Sequence, residues 1–203
     1  MEIERRSMEI IAPYLEGLHL NEAETRVYSR MIHAAGDVGY APLIRVDKKA
    51  ISSAQEAIKK GADIFTDVEM VRTGINKRTL ARFGGTVHCK IADAEIIEIA
   101  KREGITRSMA AMRTFGKDLQ GAVVAIGNAP TALFEVLRLI QEKEIRPAVV
   151  IGIPVGFVGA ADSKRALTEN GLVPYITVEG TKGGSPIAAA AVNAIMYLLD
   201  NRR

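Results

Sequence analysis

The sequence predicts an α/β protein: a three-layer α/β/α arrangement with a mainly parallel five-stranded sheet and an N-terminal helical arm. Three observations carry this expectation. Five short apolar runs are continuous rather than alternating, the pattern of strands covered on both faces. They alternate with helix-patterned segments, which calls for parallel strands joined by right-handed crossovers. Two further helical patterns precede the first run.

The apolar runs fall at 62–66, 86–91, 122–126, 148–153 and 173–178. Helical patterns between them cover 77–83, 93–102, 107–117, 130–143 and 162–170. The arm comprises helices at about 3–16 and 22–35, and another helix follows at 49–60. A last one closes the chain at 186–199, with Ser185 placed to cap it and Pro186 suited to its first position. An arm of this kind either packs on the sheet or exchanges with a partner subunit, and the pattern leaves both open.

No low-complexity linker, charge block or internal repeat divides the 203 residues, so 1–203 is expected to be a single domain. Apolar residues at 48% and charged residues at 25% are ordinary for a soluble globular chain. The net charge of +3 (27 basic against 24 acidic) is too small to argue for nucleic acid and suits an acidic small molecule if it is focused in a cleft. The N-terminus is charged rather than apolar, and no apolar run approaches the ~20 residues of a membrane span. The expectations are a cytoplasmic protein with no membrane and no nucleic-acid partner. Cys89 has no partner for a disulfide and sits in an apolar run as a passive strand residue.

Ligands of parallel sheets bind beyond the carboxyl ends of the strands. The loops there supply the candidates Asn76, Asn128, Thr131, Gly156, Gly159, Gly184 and Ser185. Three of these loops enter a helix through Gly, Asn, Ser or Thr, where free N–H groups and the helix dipole favour anions such as carboxylates. Tight turns alone would also account for the glycines. Nucleotide fingerprints are missing: Gly152, Gly156 and Gly159 stand at relative positions one, five and eight, not one, three and six, and no Gly-Lys-Ser/Thr loop occurs.

Three other residues break local rules. His33 lies near the end of the second helical pattern, on the polar face with Ser29 and Arg30, and Gly36 follows as a stop. A cation there is favoured by the helix dipole and opposed by Arg30; the residue reads either as a solvated cap or as a functional group. Ser7 interrupts the stripe of Ile3, Ile10, Ile11 and Tyr14, so its hydroxyl needs a backbone carbonyl one turn earlier or a ligand. Arg107 opens a helix that Thr106 caps, where a cation works against the dipole, so either Glu103 or an anionic ligand compensates it. No His/Cys spacing suggests a metal site.

Several strings resemble the precorrin-8X/cobalt-precorrin-8 methylmutase family: Arg6-Ser7, Met31-Ile32-His33-Ala34, Asp67-Val68-Glu69-Met70-Val71, Thr106-Arg107-Ser108, Gly127-Asn128-Ala129-Pro130-Thr131-Ala132 and Pro154-Val155-Gly156-Phe157-Val158-Gly159-Ala160. The last two are specific when found together in this order. The resemblance implies an isomerase of cobalamin biosynthesis that moves a methyl group from C-11 to C-12 of a corrin precursor, giving hydrogenobyrinate or cobyrinate. It implies no redox cofactor, a corrinoid polycarboxylate substrate and a homodimer. It matches the family's active-site histidine to His33, its first-helix serine to Ser7 and its Thr-Arg-Ser arginine to Arg107. The family often has Cys after His-Ala, where this chain has Ala35. Two other readings stay open on the residues alone: a Rossmann- or flavodoxin-like enzyme acting on a phosphorylated or nucleotide substrate, and a non-catalytic corrinoid-binding protein.

Overall fold

A computed structural model describes residues 2–200; the two ends of the expected 1–203 unit lie outside the described residues. In chain order the elements are α1 (Glu2–Ile11), α2 (Glu22–Ala35), β1 (Ile44–Val46), α3 (Ala50–Lys59), β2 (Ile64–Thr66), α4 (Glu69–Gly74), α5 (Lys77–Ala81), β3 (Val87–His88), α6 (Ala94–Glu103), α7 (Arg107–Phe115), β4 (Val123–Ile126), α8 (Pro130–Glu142), β5 (Val149–Gly152), α9 (Ala160–Asn170), β6 (Tyr175–Val178) and α10 (Ser185–Leu199).

The strands pair in the order β1-β6-β5-β4-β2-β3, parallel except for β1, which runs antiparallel to β6 with Ile44 opposite Val178. Continuous apolar strands are explained by what their two faces touch. Val123, Ala125, Val149, Ile151, Ile176 and Val178 point into one core, with α2, α3 and α10. Val124, Ile126 and Val150 point into the other, against α7, α8 and α9. Alternate residues of one strand thus serve opposite layers.

All five expected strands are present; the sheet has a sixth, β1. It escaped the pattern because it is three residues long, with Arg45 between Ile44 and Val46 and only Ile44 fully buried. An edge strand needs one ladder and one apolar face, so it leaves little trace in the sequence. The loop at 67–76 also contains an unexpected short helix, α4. Its Gly74 lies so close to α10 that a Cβ there would come within 2.8 Å of the Ala189 Cβ.

Helix ends follow local chemistry. Asn21 and Glu24 form a reciprocal capping box at the start of α2, and Gly36 ends that helix in the left-handed conformation at φ 62°. The first helix stops at Ile11, earlier than expected, because Pro13 removes an N–H donor and the chain tightens into a 3-10 turn at Ala12–Tyr14. The expectation that Ser185 caps the last helix is corrected: Gly184 holds the cap position and Ser185 is the first helical residue, followed by Pro186.

Of the two arm helices, α2 packs into the core on one face of the sheet, beside α10, and α1 lies on α2. Ile11 is buried, and Glu4 accepts from Arg30 at 2.7 Å. The rest of the expected apolar stripe is uncovered on this chain: Ile3 is 83% exposed, Ile10 60% and Tyr14 54%.

Candidate active site

The crossover from β2 leads toward β3, and the one from β4 leads away from it toward β5. The carboxyl ends of β2 and β4 therefore flank the switch point of the sheet, where an open crevice for a ligand is expected. The chain fills this place itself. Asp67, fully buried at the end of β2, accepts from the backbone N–H groups of Gly127, Asn128 and Ala129 at 2.9, 2.9 and 2.7 Å. Burial pushes its carboxyl above the ordinary value against the pull of these three amides. The N–H groups expected to be free for a ligand carboxylate before α8 are thus taken by an internal one. Sequence reasoning missed this role; the available signal was an acidic residue directly after an apolar strand, facing a Gly-Asn-Ala-Pro helix entry.

What the Asp67 clamp leaves outward is the Asn128 side chain, exposed at the loop tip, and Thr131 in the first turn of α8. The Thr131 and Thr106 hydroxyls are 2.7 Å apart, which ties the start of α8 to the cap of α7. Arg107 follows that cap and is exposed. Glu103 is occupied by Arg113 at 2.6 Å and Arg102 at 3.2 Å, and among the described residues Arg107 makes no ion pair. Of its two readings, compensation by Glu103 is therefore not what the structure holds.

On the other side of α8, Gly159 caps α9 in the left-handed conformation, and a Cβ there would lie 3.5 Å from Pro130. Between Gly156 (φ 141°) and Gly159 (φ 78°) the chain projects Phe157 and Val158, 95% and 90% exposed. An uncommitted guanidinium, a polar loop tip and an apolar lip are thus brought together around the start of α8.

A second group forms where the loop after β6 meets α2. Gly156 N–H donates to Thr181 at 3.1 Å, and Gly184 N–H to Ile153 at 2.9 Å. Lys182 pairs with Asp37 at 2.5 Å, just past the end of α2. His33, one turn back, is exposed, and its carbonyl accepts from the Gly36 cap. The neighbouring Arg30 is matched by Glu4 and lies over the Tyr197 ring. Ser185 is buried at the foot of this group, and a Cβ on Gly127 would come within 2.7 Å of its Cα. The loops after β4 and β6 therefore touch, and Gly184 and Ser185 border both groups.

Two candidates are engaged elsewhere. Asn76 caps α5 by accepting from Thr79 N–H at 3.1 Å, its amide donates to Tyr197 at 3.1 Å, and its N–H donates to Asn193 at 2.8 Å. Asn193 lies eight residues into α10, roughly 12 Å along the axis from Ser185. Ser7 donates to the Ile3 carbonyl at 2.9 Å, the local partner its position in α1 offers. A groove of about 1230 Å³ runs between α1, α2 and α10, with Met8, Leu15, Arg30 and Tyr197 in its walls. Cys89, expected within a strand, instead follows β3 directly and is partly buried; burial pushes its thiol up to about 11, which disfavours the thiolate. Among the described residues no group of three or more His, Cys, Asp or Glu could hold a metal ion.

Fold and edge together define an α/β protein with a mainly parallel sheet whose carboxyl edge offers a cation and an apolar lip without a phosphate-binding loop. Comparison with known proteins narrows this further. Residues 2–198 match the CbiC precorrin-8X methylmutase family, and the chain belongs to it. It is similar to a cobalt-precorrin-8 methylmutase of Priestia megaterium, 40% identical over 200 residues that cover 98% of this chain and 88% of the relative. A precorrin-8X methylmutase of a Sinorhizobium species is 42% identical, covering 95% of this chain and 92% of its own. The solved precorrin-8X methylmutase of Thermus thermophilus superposes with a TM-score of 0.87 at 36% identity, over 99% of this chain and 98% of that one.

Proposed function

We propose that this chain is an isomerase of cobalamin biosynthesis that moves the C-11 methyl group of precorrin-8X or cobalt-precorrin-8 to C-12. The family match along 2–198 carries this reading. The reaction is a [1,5]-sigmatropic shift: one carbon–methyl bond breaks, one forms, the conjugation relocates, and substrate and product have the same composition. Nothing is oxidised or reduced overall, so the reading needs no redox cofactor. The protein's task is to hold the macrocycle in one shape and tautomer and to stabilise charge as the methyl moves.

The residues suit a flat, conjugated ring with a rim of carboxylates. Arg107, with no ion-pair partner among the described residues, takes a rim carboxylate; Phe157 and Val158 lie against an apolar face. Asn128, Thr131, Gly156, Gly159, Gly184 and Ser185 shape the edge between them. His33 acts as the acid toward the ring, an effect of roughly 10²- to 10⁴-fold. For Ser7 and Asn76, substrate contact requires their present hydrogen bonds to be exchanged. The reading includes a homodimer in the cytoplasm, whose interface lies on the uncovered stripe of α1. A phosphorylated or nucleotide substrate is disfavoured, because the anion seat at the switch point is occupied by Asp67.

The test is incubation of the purified protein with each precursor, metal-free and cobalt-bound, while the absorption spectrum is followed. Conversion of at least one to the hydrogenobyrinate or cobyrinate spectrum is expected. Tight binding with no spectral conversion of either would make the protein a carrier.

A further inference from the structure

Lys164 stands apart from every group so far described. It lies on the sheet-facing side of α9 between Ser163 and Leu167, and only 1% of it is exposed. Its ammonium donates to the Lys182 carbonyl at 2.5 Å, and among the described residues no carboxylate pairs with it. An ammonium buried without a counter-ion is costly. Burial alone pushes its pKa down to about 8. A methionine of similar length would fill the same space with no charge to desolvate. What the amine adds is the bond to Lys182.

That bond falls on the turn that joins the two groups of the candidate site. The backbone of Thr181 accepts from Gly156 and that of Gly184 donates to Ile153. Gly183 is pressed so close to β5 that a Cβ there would come within 2.6 Å of the Ile153 carbonyl. From the α2 side, Asp37 holds the Lys182 side chain, whose ammonium also lies 5.1 Å from the Tyr40 ring centre. Lys182 is thus held at its side chain by the α2 end and at its carbonyl by α9.

We propose that Lys164 is a positioning residue: by holding the Lys182 carbonyl it fixes the 181–184 turn, and with it the spacing between the end of α2 and the Gly156–Gly159 lip. The inference rests on the methylmutase reading of this edge, since the turn matters to turnover only if the substrate lies there.

The test is Lys164→Met, followed by melting temperature, by kcat and KM on the corrinoid precursor, and by hydrogen exchange at the Gly156 and Gly184 amides. A melting temperature that is unchanged or raised is expected, because a buried charge is gone. Loss of a charge-assisted hydrogen bond predicts exchange about tenfold faster at these two amides and a kcat about tenfold lower, with a smaller change in KM. Lys182→Met cuts the other tie without touching the α9 core, and the double variant is expected to lose less than the product of the two single effects, because both ties hold one turn. Unchanged exchange and kcat in Lys164→Met would overturn the proposal, as would a lowered melting temperature with normal turnover by the folded fraction. If the wild type converts neither precursor, the methylmutase reading fails and the exchange rates alone judge whether Lys164 holds the turn.

Discussion

Two side chains carry the proposed chemistry and can be removed with little cost to the fold, because both are exposed. His33 is exposed and makes no side-chain hydrogen bond among the described residues. His33→Ala is therefore expected to lower kcat by roughly 10²- to 10⁴-fold, with the melting curve unchanged. Near-normal turnover would take His33 out of the mechanism. Arg107 differs in kind: it sits at the positive end of α7, and among the described residues no carboxylate pairs with it. Arg107→Ala should leave stability the same or slightly better, since a cation that opposes the helix dipole is gone. Binding of the polycarboxylate product, measured by absorbance titration, should weaken about tenfold. Unchanged affinity with a fall in melting temperature would assign Arg107 a structural role instead.

At the scale of elements, the junction of β2 with the β4–α8 loop decides whether the site has a floor. One buried carboxylate serves three N–H donors there, and an amide in its place offers one acceptor and turns an NH₂ toward donors. Asp67→Asn is expected to cost about 3 kcal/mol in denaturant unfolding and to loosen Asn128 and Thr131; a loss below about 1 kcal/mol would show that the clamp is dispensable. This junction also marks where the sequence stops being readable. The continuous strands, the crossovers and the helix that begins after Asn21 are visible because they depend on local periodicity and caps. The partner of Asp67 lies 60 residues away, and nothing in the local pattern says which of the helix entries keeps its N–H groups free. Asn76 shows the same limit: it reads as a loop asparagine, yet its partners Asn193 and Tyr197 come from the far end of the chain. Lys164 was visible in principle, as a lysine on the apolar side of α9 with Ala160 and Leu167, but its carbonyl partner was not. The edge strand β1 was too short to announce itself.

At the scale of the whole molecule, the arm leaves an apolar stripe exposed, Ile3 and Ile10 on α1 and Tyr14 in the turn that follows it. Stripes of this kind are characteristic of contact surfaces, and a symmetric pair of arms would bury them reciprocally. The wild type is expected to be a dimer by light scattering at micromolar concentration, and Ile10→Glu a monomer with an unchanged circular dichroism spectrum; a monomeric wild type would remove the dimer from the account. The central claim concerns the reaction itself, an intramolecular migration that the fold makes possible by holding a ring and not by supplying a nucleophile. It is tested most directly by a substrate carrying ¹³C in the C-11 methyl group, converted in the presence of an equal amount of unlabelled substrate and examined by carbon NMR and mass spectrometry. The account predicts that the label appears wholly in the C-12 methyl of the same molecules, with substrate and product of equal mass. Label lost to solvent or shared with the unlabelled pool, or no migration at all, would contradict it.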